Sequence, residues 1–341
     1  MRKIRLGKTN LIVTKNAFGA LPLQRLAMQE AAELLKKAYE LGVNFFDTAH
    51  AYTDSEEKIG LAFADVPRDS IVLATKSGEL DPAKLRADVE LSLTHMKTDY
   101  IDILQMHNPK IVPDADHPAY QELLKLKAEG KIRHIGFTNH QLTNAVAAVK
   151  SGLYETVQFP LSALSSEEEL DLIRLAKAHD VGIICMKAMC GGLLTSAAPS
   201  MAVLDQFDNA APIFGIQREN ELLEVVTLDS DPPVLDEKMC AYIEQEKKAL
   251  AGAFCRGCGY CMPCPVGIRI NTAARMELML NRSPWEPLTT PEQIEMMENI
   301  ENCLDCGKCK SKCPYGLDCP TLLKNNLRYY REFIKDKGLA E

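Results

Sequence analysis

The chain reads as an α/β protein, a (β/α)₈ barrel followed by a smaller, mainly helical domain organised by cysteines. Three observations predict this. Up to about residue 230, eight short runs rich in Val, Ile and Phe alternate with amphipathic stretches. The runs are apolar throughout rather than at every second residue, which marks strands buried on both faces and therefore a parallel sheet. Finally, eight of the twelve cysteines fall between Cys255 and Cys313, and none precedes Cys185.

Each element follows in order. Ile4–Arg5 and Leu11–Val13 flank Gly7–Asn10 and predict a small hairpin that closes the barrel bottom. The eight strands are predicted at Asn16–Ala20, Val43–Asp47, Ile71–Lys76, Tyr100–His107, Ile132–Thr138, Thr156–Phe159, Val181–Lys187 and Ala211–Gly215. Helices are predicted at Ala27–Leu41, Ser55–Ala64, Pro82–Met96, His117–Gly130, Leu142–Lys150 and Ser166–His179. In the first, Ala31, Leu34, Leu35 and Ala38 fall on one face at helical spacing. Pro82 suits a first helical turn, with Asp81 as its cap. Eight such units in about 230 residues fit a barrel. A doubly wound open sheet is disfavoured because no GxGxxG follows the first strand. Asp229–Leu235 reads as a linker and Asp236–Leu250 as a helix. Between the cysteine runs, Asn271–Asn281 and Pro291–Ile300 read as helices separated by Pro284, Trp285 and Pro287. The expected domains are thus residues 1–230, a connecting segment 231–250, and a cysteine-rich domain 251–341.

Composition narrows the function. The chain is 46% hydrophobic and 25% charged, ordinary for a globular protein with a sizeable core. Lys and Arg number 39 against 47 Asp and Glu, a net charge of −8. That lacks the basic footprint of a generic nucleic-acid binder. No stretch approaches the roughly 18 apolar residues of a membrane helix, and MRKIRLGKTN has no apolar leader behind it. A cytoplasmic, reducing setting is expected, where clustered cysteines are metal ligands or redox centres rather than disulfides.

In a barrel of this kind chemistry sits at the carboxyl ends of the strands. The second run ends at Asp47, with Tyr52 in the loop beyond; the third ends at Lys76 and the fourth at His107. A lysine near a tyrosine hydroxyl stabilises the phenolate and lowers its pKa, and an aspartate keeps that lysine charged and placed. Such a tyrosine can give a proton to a carbonyl oxygen as hydride reaches the carbon, with a histidine donor orienting that oxygen.

Here the sequence resembles the aldo-keto reductase family over residues 1–230. The resemblance rests on LGKTNLIVTKNAFGA, GVNFFDTAHAYTDSEEKIG, LATKSG, DYIDILQMHNP, IRHIGFTNH, VQFPLS and GGLL. It implies a TIM barrel with a catalytic tetrad of Asp47, Tyr52, Lys76 and His107. It also implies a nicotinamide nucleotide, NADPH or NADH, extended across the barrel mouth. Carboxamide contacts then map to Thr138, Asn139 and Gln158, and further contacts to Gly215 and Arg218. Two positions depart from the family. Met186 stands where an aromatic residue usually stacks on the nicotinamide, and Glu221 where an arginine usually clamps the 2′-phosphate. Family habit favours NADPH; Glu221 would repel a phosphate and accept ribose hydroxyls, and Arg218 would have to rescue the phosphate.

The cysteines form two runs, Cys255-x₂-Cys258-x₂-Cys261-x₂-Cys264-Pro265 and Cys303-x₂-Cys306-x₂-Cys309-x₃-Cys313-Pro314. The second matches the ferredoxin pattern letter for letter, and eight thiolates suit two [4Fe–4S] clusters. In two-cluster ferredoxins the fourth cysteine of each run crosses over. By that rule Cys255, Cys258, Cys261 and Cys313 hold one cluster, and Cys303, Cys306, Cys309 and Cys264 the other. Two zinc sites are the arithmetical alternative, disfavoured by the Cys-Pro endings. The wide spacing looks like a helical dicluster ferredoxin domain. Cys185, Cys190, Cys240 and Cys319 read as unligated. Lys308, Lys310 and Lys312 interleave the second run, where they suit a solvated face, a shift in cluster potential or an acidic partner.

The leading expectation is therefore an iron–sulfur oxidoreductase that interconverts a small-molecule carbonyl and its alcohol with NAD(P)H, Tyr52 giving the proton. One alternative is a one-electron reductase fed by ferredoxin or flavodoxin through the clusters. Another is a non-enzymatic redox-sensing or binding module. Neither nucleic acid nor membrane is an expected partner.

Overall fold

The computed structural model describes residues 1–250, 254–282 and 284–339. The expected domain start at residue 251 and end at residue 341 lie outside the described residues. Among these residues ten strands form: β1 (Lys3–Arg5), β2 (Ile12–Thr14), β3 (Ala17–Gly19), β4 (Phe45–Asp47), β5 (Val72–Ser77), β6 (Ile101–His107), β7 (Ile132–Thr138), β8 (Thr156–Pro160), β9 (Gly182–Met186) and β10 (Ala210–Gly215). The last eight close into a parallel barrel in chain order, β10 pairing with β3. Each coincides with an expected strand to within about two residues.

β1 and β2 form the antiparallel hairpin. Its connection lies against the chain just before β9, where Lys8 N–H donates to Asp180 O at 2.6 Å. A Cβ at Gly7, whose φ is +50°, would come within 2.3 Å of Gly182 N, so this close approach requires glycine. Leu6 from the hairpin joins Val13, Phe45, Val72, Ile103, Ile184 and Ile213 in the filled interior of the barrel. A second, larger core lies between the strands and the surrounding helices. The first helix, Met28–Glu40, buries Ala31, Leu34, Leu35 and Ala38, the face read from spacing. Asp81 caps helix Pro82–His95 by accepting from Lys84 N–H at 3.0 Å.

Two sequence expectations need correction. Asp229 and Ser230, read as linker, form the last turn of helix Glu219–Ser230. Asp229 is fully buried there, accepting from Asn16 Nδ2 at 2.8 Å and Arg2 N–H at 2.7 Å. The expected helix over Asn271–Asn281 is two pieces, Ile270–Ala273 and Met276–Arg282.

The chain divides into two compact units, Met1–Met189 with Ser196–Ile243, and Cys190–Thr195 with Glu244–Glu341. The second is helical among its described residues and has its own core, in which Ile268, Met276, Met297, Leu323 and Tyr330 pack with Cys255, Cys261, Cys309 and Cys319. Its longest helix, Cys319–Asp336, supplies one wall of that core. Among the described residues, no helix is long and apolar enough to cross a membrane.

Candidate active site and cluster-binding cysteines

Parallel strands of a closed barrel all end at one rim, so residues terminating them converge. Asp47, His107, Thr138, Met186 and Gly215 are the final residues of β4, β6, β7, β9 and β10. Lys76 and Gln158 lie within β5 and β8, near their carboxyl ends, and Asn139 follows β7 directly.

Lys76 Nζ donates to Asp47 Oδ2 at 2.5 Å and also to Thr48 O. Both side chains of this ion pair are almost wholly buried. Asp47 Oδ1 accepts from Gln105 Nε2 at 3.1 Å and from Gln158 Nε2 at 3.0 Å. Three donors thus hold one carboxylate. Tyr52 leaves the loop after β4 so that its ring lies 5.3 Å from Lys76 Nζ and meets the His107 ring edge-on, centroids 6.1 Å apart.

Electrostatics sorts the roles. Burial raises the Tyr52 pKa, the Lys76 cation opposes it, and the Asp47 charge adds to the rise. The lysine acts in the direction read from sequence, but burial outweighs it, so the phenol stays protonated in this state. Burial, reinforced by Lys76, pushes the His107 pKa down to about 3. The imidazole is neutral at working pH and suited to hydrogen-bonding an uncharged oxygen.

Gln105 is the residue that sequence reasoning missed. It is fully buried in an apolar strand, and nothing in IDILQMH distinguishes it except that a glutamine inside a barrel needs a polar partner. We expect Gln105→Leu to lower stability by about 1.5–3 kcal/mol, the usual worth of a hydrogen bond to a charged group. A thermal melt checks this; an unchanged midpoint would show that Gln158 and Lys76 suffice.

The nucleotide positions are less uniform. Gln158 Oε1 is buried with no hydrogen-bond partner among the described residues, an open acceptor for an amide N–H. Asn139 is braced within the protein, donating to Pro109 O at 2.8 Å and accepting from Gln141 N–H at 2.9 Å. Arg218 is largely exposed at the start of helix Glu219–Ser230, with Glu221 3.8 Å away. Glu221 Oε2 accepts from the backbone N–H of Gln217 at 2.9 Å and of Arg218 at 3.1 Å. A carboxylate therefore already occupies a helix N-terminus of the kind that binds phosphate elsewhere.

In the second unit, Cys264, Cys303, Cys306 and Cys309 line one cavity together with Cys261. The first four are one of the two ligand sets read from spacing. For the other set, Arg256, next to Cys255, stacks on Tyr315, two residues after Cys313, at 4.4 Å. Burial pushes the Cys261 thiol up to about 12, and the like charges of Cys255 and Cys258 add to it. Thiolates so crowded are costly without a cationic core between them, so the donor set fits iron–sulfur ligation. Among the described residues, no three His, Cys, Asp or Glu close on a point that could hold one ion. The ligands of a four-iron cube bind four different metals and stand further apart than those of one ion. Cys319, expected to be unligated, begins helix Cys319–Asp336, buried, its thiol donating to Leu317 O.

A closed barrel whose rim presents a buried lysine–aspartate pair, a tyrosine and a neutral histidine has the arrangement expected of an oxidoreductase. The chain belongs to the aldo/keto reductase family, whose model matches residues 14–226; a 4Fe-4S dicluster domain matches residues 254–318. It is 33% identical over 217 residues to L-galactose dehydrogenase of Arabidopsis thaliana, covering 57% of this chain and 67% of that one. It is 27% identical over 275 residues to the NADH-specific methylglyoxal reductase of Escherichia coli, covering 70% and 82%. A solved aldo-keto reductase from Pseudomonas aeruginosa superposes with a TM-score of 0.60 at 26% identity, covering 67% and 94%. Membership in an enzyme family overturns the non-enzymatic alternative.

Proposed function

We propose that the barrel reduces a small-molecule carbonyl, or oxidises the matching alcohol, with a nicotinamide nucleotide. The observation that carries this is the buried Lys76–Asp47 pair beside the Tyr52 ring and the neutral His107. When bound, the nicotinamide supplies or accepts the hydride at the substrate carbon. Tyr52, kept protonated by burial, gives its hydroxyl proton to the carbonyl oxygen, and Lys76 stabilises the phenolate left behind. His107 hydrogen-bonds the same oxygen and sets its position. Asp47, gripped by Gln105 and Gln158, holds Lys76 in place.

In this reading Gln158, Thr138 and Asn139 bound the carboxamide end of the nucleotide, Met186 packs against the ring, and Gly215 and Arg218 border the remainder. NADH is favoured over NADPH. Glu221 places negative charge where a 2′-phosphate would approach, and the Escherichia coli relative is named NADH-specific. Replacing Glu221 with glutamine is expected to raise kcat/KM for NADPH relative to NADH by about tenfold, or ~1.4 kcal/mol. An unchanged ratio in steady-state kinetics would remove Glu221 from nucleotide choice.

The same proposal assigns Cys255, Cys258, Cys261 and Cys313 to one [4Fe–4S] cluster and Cys264, Cys303, Cys306 and Cys309 to the other. The domains are 1–230 for catalysis, 231–250 for connection and 251–341 for the clusters, and the setting is cytoplasmic. A second reading, in which the clusters feed the barrel site without nicotinamide, is favoured by Met186 in place of an aromatic ring. Anaerobic protein mixed with NADH and a panel of small aldehydes decides between them. Turnover without any electron carrier supports the first reading; turnover only with a reduced carrier replaces it with the second.

A further inference from the structure

Of the eight cysteines in the two runs, Cys306 alone is exposed; the other seven are buried or half-buried. Leu304, two residues earlier, is 65% exposed. Lys308, Lys310 and Lys312 stand exposed on the short helix Lys308–Lys312, and Lys324 is exposed on helix Cys319–Asp336. Two carboxylates answer these four cations. Asp305 pairs with Lys324 at 2.6 Å and Asp318 with Lys310 at 3.4 Å, all four side chains more than half exposed. Such pairs are weak. Among the described residues, no ion pair engages Lys308 or Lys312. A chain of net charge −8 thus carries cations beside the one exposed cysteine of the runs: Lys308 lines the same cavity as Cys306 and Leu304, and Lys324 pairs with Asp305, the residue before Cys306.

We propose that this face docks a small acidic one-electron carrier protein, with the cluster bound by Cys306 as the port of exchange. The inference rests on the ligand assignment above, Cys264, Cys303, Cys306 and Cys309. One electron leaves the reduced centre of the carrier and enters this cluster; no bond forms or breaks and no proton moves. Electron transfer falls steeply with distance, so the least-covered ligand marks the shortest path to a partner. Leu304 offers an apolar centre that a partner can desolvate, and the lysines form a charged rim. Complementary rim charge speeds encounter and makes it depend on salt.

The test uses the full chain, purified anaerobically, with iron and sulfide counted first. The probe is an acidic ferredoxin reduced beforehand, mixed by stopped flow while cluster bleaching is recorded. The double variant Lys308→Glu/Lys312→Glu is expected to lose about tenfold or more in second-order rate at low salt and most of its salt dependence. Its reduction by methyl viologen radical, a small cation needing no docking face, is expected to equal or exceed that of the unaltered protein. Leu304→Gln is expected to slow the ferredoxin reaction while leaving the salt slope intact. Unaltered ferredoxin rates and slopes in the lysine variant overturn the proposal. Wild-type protein that holds no iron and sulfide overturns the ligand assignment first, and the port with it.

Discussion

Replacing Tyr52 with phenylalanine is expected to lower kcat for carbonyl reduction by about 10²–10⁴-fold, the usual worth of a positioned general acid. The substitution is clean because the ring does the packing. Its edge-on contact with His107 and its place 5.3 Å from Lys76 Nζ need no hydroxyl. Only the proton is lost. KM for the carbonyl and affinity for nucleotide should therefore change little, since an interaction made only in the transition state affects kcat and kcat/KM alike. Steady-state kinetics beside a fluorescence titration with NADH separates the two. Retained turnover would move the proton donor elsewhere. Lost nucleotide binding would mean that the phenylalanine had disturbed the rim.

The parts of this site legible in sequence are those where polarity interrupts a pattern. Asp47, Lys76 and His107 each close an apolar run, and a parallel barrel brings such ends together whatever the loops do. Gln105 was not legible. It stands inside a run rather than at its end, and strand composition does not say which side chains face Asp47. Asp229 failed for the opposite reason. Its DSDPP context reads as linker, yet hydrogen bonds to Asn16 and Arg2, more than two hundred residues away in sequence, carry the helix through it. In the second unit, spacing is a property of the chain and was readable. Exposure is a property of packing and was not, so Cys306 could not be told from its seven counterparts.

The Tyr52 pKa was half legible, and the missing half decides its sign. Proximity of Lys76 was expected to lower it. Burial, which sequence does not quantify, raises it further than the lysine lowers it. Under the proposed mechanism, a protonated phenol lies beside the cation that stabilises its phenolate, an arrangement stronger in the transition state than in the ground state.

That arrangement makes Lys76→Met the second large effect, with a sign that structural damage alone would not give. Among the described residues, the variant leaves the buried Asp47 carboxylate with only Gln105 and Gln158 as side-chain donors. Breaking a buried ion pair costs about 3–5 kcal/mol, so the melting temperature should fall by roughly 10 °C. Turnover should fall by about 10²-fold or more, because the phenolate forms without its cation. Lys76 pulls the Tyr52 pKa down, so its removal sends that pKa further up, and the alkaline limb of reduction, where Tyr52 loses its proton, moves to higher pH. Asp47→Asn works the other way. The Asp47 charge raises the Tyr52 pKa, so its removal lowers it and brings the limb to lower pH. Both variants weaken the fold and both lose activity, but only an electrostatic role for the pair moves the limb in opposite directions. Profiles of kcat/KM, carried to the most alkaline pH and held at a temperature where the wild type and both variants remain folded, read this: the Asp47→Asn limb falls below that of the wild type and the Lys76→Met limb lies above it. Limbs that shift together, or do not shift, would reduce the Lys76–Asp47 pair to a structural tie.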